Sequence, residues 1–105
     1  MITYDKIYIN GAWVPSEGKG VLEVTNSATE EIIATIPDGT TGDVDKAVAA
    51  AKAAFEGWSA LPSEKRAEYL MKIHAGLEAR TQEIAEAVAR EVGMPVGMAT
   101  MIQVG

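Results

Sequence analysis

The sequence contains no cysteine among its 105 residues. This absence excludes disulfide bonds, zinc sites built on cysteine and a thiol nucleophile within the chain. Histidine occurs once, at position 74, so no pair of histidines is available for a metal site either. Chemistry that depends on a thiolate therefore cannot arise from these residues alone.

Basic runs and long apolar runs are also missing. The net charge of −6 is spread over short acidic and basic groups, which excludes the basic patches typical of nucleic-acid or anionic-membrane binding. No segment reaches the roughly 18 apolar residues of a membrane span, and the opening "MITYDKIYING" lacks the apolar core of a secretory signal. We therefore expect a cytoplasmic protein without nucleic-acid or membrane partners.

The first forty residues have the pattern of two β-hairpins, at about 6–36. Asn10-Gly11 is the dipeptide favoured in two-residue type I′ turns, and this register pairs Tyr8 with Trp13 across the strands. The segments "VLEVT" and "EIIATI" predict a second hairpin, whose connection "NSATE" can form an Asx turn at Asn26.

The pattern changes to a helical period at Thr41, and helices are expected from there to residue 105. Thr40 or Thr41 can cap the first helix together with Asp43 or Asp45. Ser63 is the predicted start of the second helix, Thr81 can cap the third, Gly93 ends it, and Pro95 opens a fourth at its first position. The chain is the size of one small domain, expected to bury about two thirds of its unfolded surface.

Most candidate sites have simpler structural explanations. Gly18 and Gly20 lack the third glycine and the following helix of a dinucleotide-binding motif. His74, at an inward or boundary position of the second helix, is expected to be structural. Glu30 and Glu31 are a poor acid/base pair, because adjacent side chains on a strand point to opposite faces. Tyr8 and Trp13 are expected to form a cross-strand pair of the hairpin and not a ligand site.

Glu91 is the charged residue whose predicted position is unfavourable unless a hydrogen-bond donor, a basic side chain or a cation lies beside it. Helical spacing places it in line with Ile84 on the apolar face of the third helix, and it lies in the last turn, where the helix dipole disfavours an anion. Two alternatives remain open: a buried carboxylate held by N–H groups or a basic side chain, or a ligand of a hard cation.

The order of these segments resembles the opening part of the NAD(P)-dependent aldehyde dehydrogenase superfamily. The resemblance runs from about Tyr8 to Gln103 through "YINGAWV", "VTNSATEEIIATIP", "DVDKAVAAAKAAFEGW", "EKRAEYLMKI" and "REVGMP". It implies an α/β fold, with this chain forming the outer layer of a coenzyme-binding domain. The family often has proline and glycine where this chain has Ser27 and Glu30, which loosens that turn.

The resemblance implies oxidation of an aldehyde to a carboxylic acid with NAD or NADP. The family's catalytic cysteine, general base and cofactor-binding turn lie beyond the matched region, so no catalytic or cofactor-binding residue is assigned here. Some members hold a monovalent cation at the position matching Glu91. By that resemblance, Glu91 with the main-chain oxygens of Val24 and Thr25 is a candidate Na⁺ or K⁺ site.

Three functional hypotheses follow. The first is a truncated, inactive N-terminal fragment whose partner is the remainder of a homo-oligomeric aldehyde dehydrogenase. The uncharged run "GMPVGMATMIQVG" favours this hypothesis, since a self-sufficient module would be expected to carry charge at its end. The second is a freestanding interaction or oligomerisation module derived from this segment, and the third is a small-molecule-binding domain.

Overall fold

The computed structural model describes all 105 residues, which form short strands followed by helices. The strands are β1 (Ile2–Thr3), β2 (Ile7–Ile9), β3 (Ala12–Val14), β4 (Val21–Thr25) and β5 (Ile32–Pro37). The helices are α1 (Thr41–Ala60), α2 (Ser63–Ala79), α3 (Thr81–Val92) and α4 (Val96–Met98), and a π-helix follows at Ala99–Val104. The predicted order of hairpins, three helices and the start of a fourth is confirmed.

Strands β2 and β3 form the predicted hairpin in the predicted register, with Tyr8 opposite Trp13. Asn10 and Gly11 both have positive φ, at 54° and 79°, as a type I′ turn requires. The two aromatic rings meet edge to face with their centroids 5.2 Å apart. This contact stabilises a hairpin whose strands are only three residues long.

A three-stranded sheet has the order β1, β5, β4. β1 runs parallel to β5, with Ile2 opposite Ala34, and this strand was absent from the predicted hairpins. A two-residue strand carries no period of its own, and its pairing depends on a partner far along the chain. Local sequence pattern therefore could not reveal it.

The turn between β4 and β5 is the predicted Asx turn. The side-chain oxygen of Asn26 accepts hydrogen bonds from the N–H groups of Ala28 at 2.9 Å and Thr29 at 3.1 Å. Glu30 has a φ of 63°, in the left-handed region that glycine adopts freely. The departure from the family's glycine thus falls at a position where a side chain costs about 1 kcal/mol or more.

The helix ends agree closely with prediction, with two shifts of one residue. Gly93, in the left-handed conformation with φ 74°, ends α3 as predicted, and its N–H donates to the Ala89 carbonyl. Arg80, rather than Thr81, occupies the N-cap position of α3, and the Thr81 hydroxyl donates to the Glu78 carbonyl in the preceding helix. Pro95 precedes the next helix instead of starting it.

The structure divides into two compact units. The first contains residues 1–24 and 32–60, and the second contains residues 25–31 and 61–105. In the first unit, β2 contacts α1; in the second, α3 packs against α2, α4 and the π-helix.

The core of the chain is small. Only Ala34, Ala85 and Ala99 are buried hydrophobic residues, and no large side chain is fully buried. The accessible surface is 8009 Å², whereas a compact monomer of this mass would expose about 5,700 Å². The chain therefore buries about half of its unfolded surface, and the expected two thirds was too high.

Helices α1 and α2 leave their apolar side chains exposed. Phe55 on α1 is 67% exposed and Leu70 on α2 is 59% exposed, and α2 has no buried residue at all. Large apolar side chains that are exposed in this number indicate an interaction face in soluble proteins. Neither helix, nor any other, is long and apolar enough to cross a membrane.

We expect the isolated chain to self-associate because these faces have no cover within it. Phe55→Gln should raise the dissociation constant roughly tenfold or more, since a buried phenylalanine contributes about 2 kcal/mol. Glu56→Gln, a change at the neighbouring exposed residue, should leave association unchanged. Sedimentation velocity over a dilution series measures this, and a compact monomer at high concentration would contradict the expectation.

Candidate functional site

The carboxylate of Asp43 is the one buried charged group in the structure, with 5% of its residue surface exposed. Its oxygens accept hydrogen bonds from the Ser16 hydroxyl and from the N–H groups of Glu17 and Thr40, both at 2.9 Å. The Asp43 N–H in turn donates to the Thr40 hydroxyl at 3.2 Å. The reciprocal pair is the predicted cap of α1, and the donors at positions 16 and 17 attach the preceding loop to it.

These donors lower the pKa of Asp43 from 3.8 to about 2, with the Ser16 hydroxyl as the largest cause and the N–H groups of Glu17 and Thr40 next. The loop has a second attachment on the outside, where the Glu17 carboxylate lies 2.7 Å from the Lys46 amine and raises the pKa of that amine. No buried side-chain nitrogen or oxygen in the chain lacks a partner. Asp43 is therefore a structural residue, because hydrogen-bond donors from within the chain already occupy its carboxylate oxygens.

Sequence reasoning identified Asp43 as a cap but missed its partners in the loop. Ser16 and Glu17 lie 27 and 26 residues earlier in the chain. No helical or strand period connects residues at such a separation, so only the folded chain reveals the contact.

A second junction lies where the turn after β4 meets the end of α3. The N–H of Ser27 donates to the Arg90 carbonyl at 2.9 Å, and the Ser27 hydroxyl donates to the Glu91 carbonyl. The last carbonyls of a helix have no partner within it, so Ser27 satisfies two of them. A proline at position 27 would lack the N–H that makes the first of these bonds.

The Glu91 carboxylate does not lie where the sequence placed it. Its side chain is exposed, so the prediction of an inward-facing carboxylate is wrong for this chain. Ala85 is the buried residue of α3, and the packing of α3 against α4 and the π-helix leaves position 91 exposed. The Glu91 main-chain carbonyl, and not its carboxylate, contacts the turn after β4 by accepting from the Ser27 hydroxyl.

The other two residues of the candidate cation site are placed at the end of β4. Val24 is half-buried and belongs to the first unit, while Thr25 is exposed and belongs to the second unit with Glu91. No three histidine, cysteine, aspartate or glutamate side chains come together anywhere to hold a metal. A cation here would depend on main-chain oxygens together with one carboxylate.

The remaining candidates carry no chemistry in the structure. His74 is exposed, contrary to its expected inward or boundary position, and lies 3.7 Å from Glu78 on the same helix. Gly18 and Gly20 lie in the loop between β3 and β4. Tyr8 and Trp13 form the hairpin contact described above, and Glu30 and Glu31 lie at an exposed turn.

Comparison with known proteins defines the class of this segment. The sequence matches the aldehyde dehydrogenase family over residues 13–105. The 3-succinoylsemialdehyde-pyridine dehydrogenase of a Pseudomonas species is 42% identical to it over 96 residues, which is 91% of this chain and 20% of that protein.

Solved structures agree with the sequence match. An aldehyde dehydrogenase from Bartonella henselae superimposes with a TM-score of 0.95 at 36% identity, covering 99% of this chain and 22% of that one. An aldehyde dehydrogenase from Pseudomonas syringae, solved with NAD⁺ and octanal, gives 0.92 at 41% identity, covering 95% and 21%. The chain belongs to the aldehyde dehydrogenase family and spans about a fifth of the length of these relatives.

Replacing Asp43 should remove a pH-dependent contribution to stability. The folded-state pKa is below the ordinary 3.8, so this contribution is present above about pH 4 and is lost as the pH falls towards 2. Asp43→Asn should lower the urea midpoint at neutral pH and flatten its decline between these values. The exposed Asp45→Asn variant is the matched control.

Urea titrations at fixed protein concentration, from pH 7 down to 2, measure this difference. Equal declines in the parent and in Asp43→Asn would show that the hydrogen bonds to Asp43 contribute nothing to folding.

Proposed function

We propose that this chain works as the N-terminal segment of an NAD- or NADP-dependent aldehyde dehydrogenase that oxidises an aldehyde to a carboxylic acid. In this proposal the segment is structural and supplies no catalytic group. The observation that carries it is the pair of exposed helices in a chain whose relatives are about five times longer. Such faces are expected where a further layer of the same polypeptide packs.

The chemistry of the reaction supports the same division of roles. A covalent route from aldehyde to acid needs a nucleophile for the carbonyl carbon, an acceptor for the hydride and a base for the hydrolytic water. This chain has no cysteine to act as the nucleophile. Its buried carboxylate, Asp43, is a poor base, since its donors hold its pKa near 2.

The exposed faces of α1 and α2 also support packing against more protein, both within one polypeptide and between copies in a homo-oligomer. The hydrogen bonds of Asp43 hold the start of α1, and those of Ser27 hold the end of α3. Neither set involves the apolar faces of α1 and α2. The segment can therefore keep its secondary structure while its apolar side chains remain available for the rest of the enzyme.

We also propose that Glu91 binds a monovalent cation, Na⁺ or K⁺, together with the main-chain oxygens of Val24 and Thr25. The exposed Glu91 carboxylate forms no ion pair within the chain, which supports its availability to a ligand. Hard cations prefer oxygen ligands of this kind. Ser27 supports the arrangement by attaching the turn after Thr25 to the main chain at Glu91.

Complementation tests the structural role. The Pseudomonas syringae aldehyde dehydrogenase, expressed without its matching fifth, should be inactive with octanal and NAD⁺ and should recover NADH production when this chain is co-expressed. Phe55→Gln should restore less activity than Glu56→Gln, because Phe55, unlike Glu56, carries exposed apolar surface that the partner can bury.

The relative's own missing fifth, supplied in the same way, is the positive control. NADH production by this chain alone would overturn the proposal. Binding without recovered activity would also contradict it and would favour a freestanding interaction module.

The cation proposal predicts a salt-specific melting temperature. At equal ionic strength the parent chain should melt higher in sodium or potassium chloride than in choline chloride, because a ligand bound only by the folded state stabilises it. Glu91→Gln should lose this difference, whereas Glu86→Gln, on the same helix, should keep it. Matching salt dependence in the parent and Glu91→Gln would refute the site.

A further inference from the structure

The tip of the first hairpin places an unrestrained asparagine before a glycine. Asn10 and Gly11 are both exposed, and no atom lies within 4 Å of where a Gly11 Cβ would be. No hydrogen bond within the chain holds the Asn10 side-chain amide. The chain's other asparagine, Asn26, differs in the residue that follows it and in its hydrogen bonds. Serine follows Asn26, and its side-chain oxygen accepts hydrogen bonds from two main-chain N–H groups.

We propose that Asn10-Gly11 is a site of spontaneous deamidation, a covalent modification that converts Asn10 to isoaspartate and aspartate. The main-chain nitrogen of Gly11, after losing its proton to water or hydroxide, attacks Cγ of Asn10. A C–N bond forms, the bond from Cγ to the side-chain nitrogen breaks, and ammonia leaves with a proton from solvent. Water then opens the five-membered succinimide at either carbonyl, and no oxidant or reductant is required.

The geometry of the tip favours this attack at Asn10. Gly11 has no side chain to shield its nitrogen, and the space around it is open. The hairpin forms its own two-stranded sheet of three-residue strands, and β2 contacts α1 while the tip residues Asn10 and Gly11 are exposed. Such hairpins form on a microsecond timescale, so the tip samples open conformations many times before the slow covalent step occurs.

The same reasoning protects Asn26. Its amide must release the N–H groups of Ala28 and Thr29 before Cγ can turn towards the nitrogen of Ser27. The need to break both hydrogen bonds should slow the reaction at Asn26 roughly tenfold or more. The side chain of Ser27 adds steric shielding that Gly11 lacks.

Modification would alter the hairpin in two ways. Aspartate at position 10 keeps a turn of the Asp-Gly type and adds one negative charge. Isoaspartate instead inserts a methylene into the main chain of a two-residue turn, which is incompatible with pairing Tyr8 opposite Trp13. The isoaspartate product should therefore lose the edge-to-face contact, whereas an Asn10→Asp variant should retain it.

The experiment incubates the full chain at neutral and mildly alkaline pH and follows both asparagines by peptide mass spectrometry in ¹⁸O-labelled water. We expect conversion at Asn10 at least about ten times faster than at Asn26, incorporation of one ¹⁸O, a rate that rises with pH, and isoaspartate among the products. Asn10 reacting no faster than Asn26 in the folded chain would overturn the proposal.

A second comparison is independent of folding. In concentrated urea the parent and the Gly11→Ala variant are both unfolded. Conversion at Asn10 should be slower in the variant, because the alanine methyl group shields the attacking nitrogen. Equal rates for the parent and Gly11→Ala under these conditions would exclude attack by the nitrogen of residue 11.

Discussion

Hydrogen bonds to the ends of two helices hold together segments that are far apart in sequence. At the start of α1, Asp43 collects donors from the loop after β3, and at the end of α3, Ser27 donates to two terminal carbonyls. Helix ends carry main-chain groups that the helix itself cannot satisfy. In each unit, hydrogen bonds to these unsatisfied groups attach a non-helical segment to a helix end.

These hydrogen bonds at the helix ends are important for the fold because few apolar side chains are buried. The buried hydrophobic residues are three alanines, and large side chains of α1 and α2 are exposed. Most helical stability in proteins comes from packing of an apolar face. The relatives of this chain are about five times longer, and in the proposed function the additional residues cover these faces.

Local patterns in the sequence predicted most of the secondary structure. Asn10-Gly11 gave the first turn and its register, Asn26 gave the second turn, and Gly93 gave the end of α3, since each requirement is met within a few residues. The parallel pairing of β1 with β5 and the loop contacts of Asp43 could not be predicted, because their partners are distant and share no period with them.

Glu91 shows a different limit of sequence reasoning. Helical spacing correctly aligned it with Ile84, but alignment with an apolar face implies burial only where another element covers that face. α3 packs against α4 and the π-helix, but this packing does not include position 91, and the Glu91 side chain is exposed. The Ser27 contact could not be found from spacing either, although the residue stood out as a departure from the family's proline.

The parallel pairing of β1 with β5 has a consequence for the order in which the chain folds during synthesis. Ile2 pairs with Ala34, so the first strand leaves the ribosome about thirty residues before its partner. The β4–β5 hairpin closes locally, whereas the entropy lost in closing the longer loop delays β1. The β2–β3 hairpin can form in that interval, and β1 then joins the edge of a sheet that β4 and β5 have already formed.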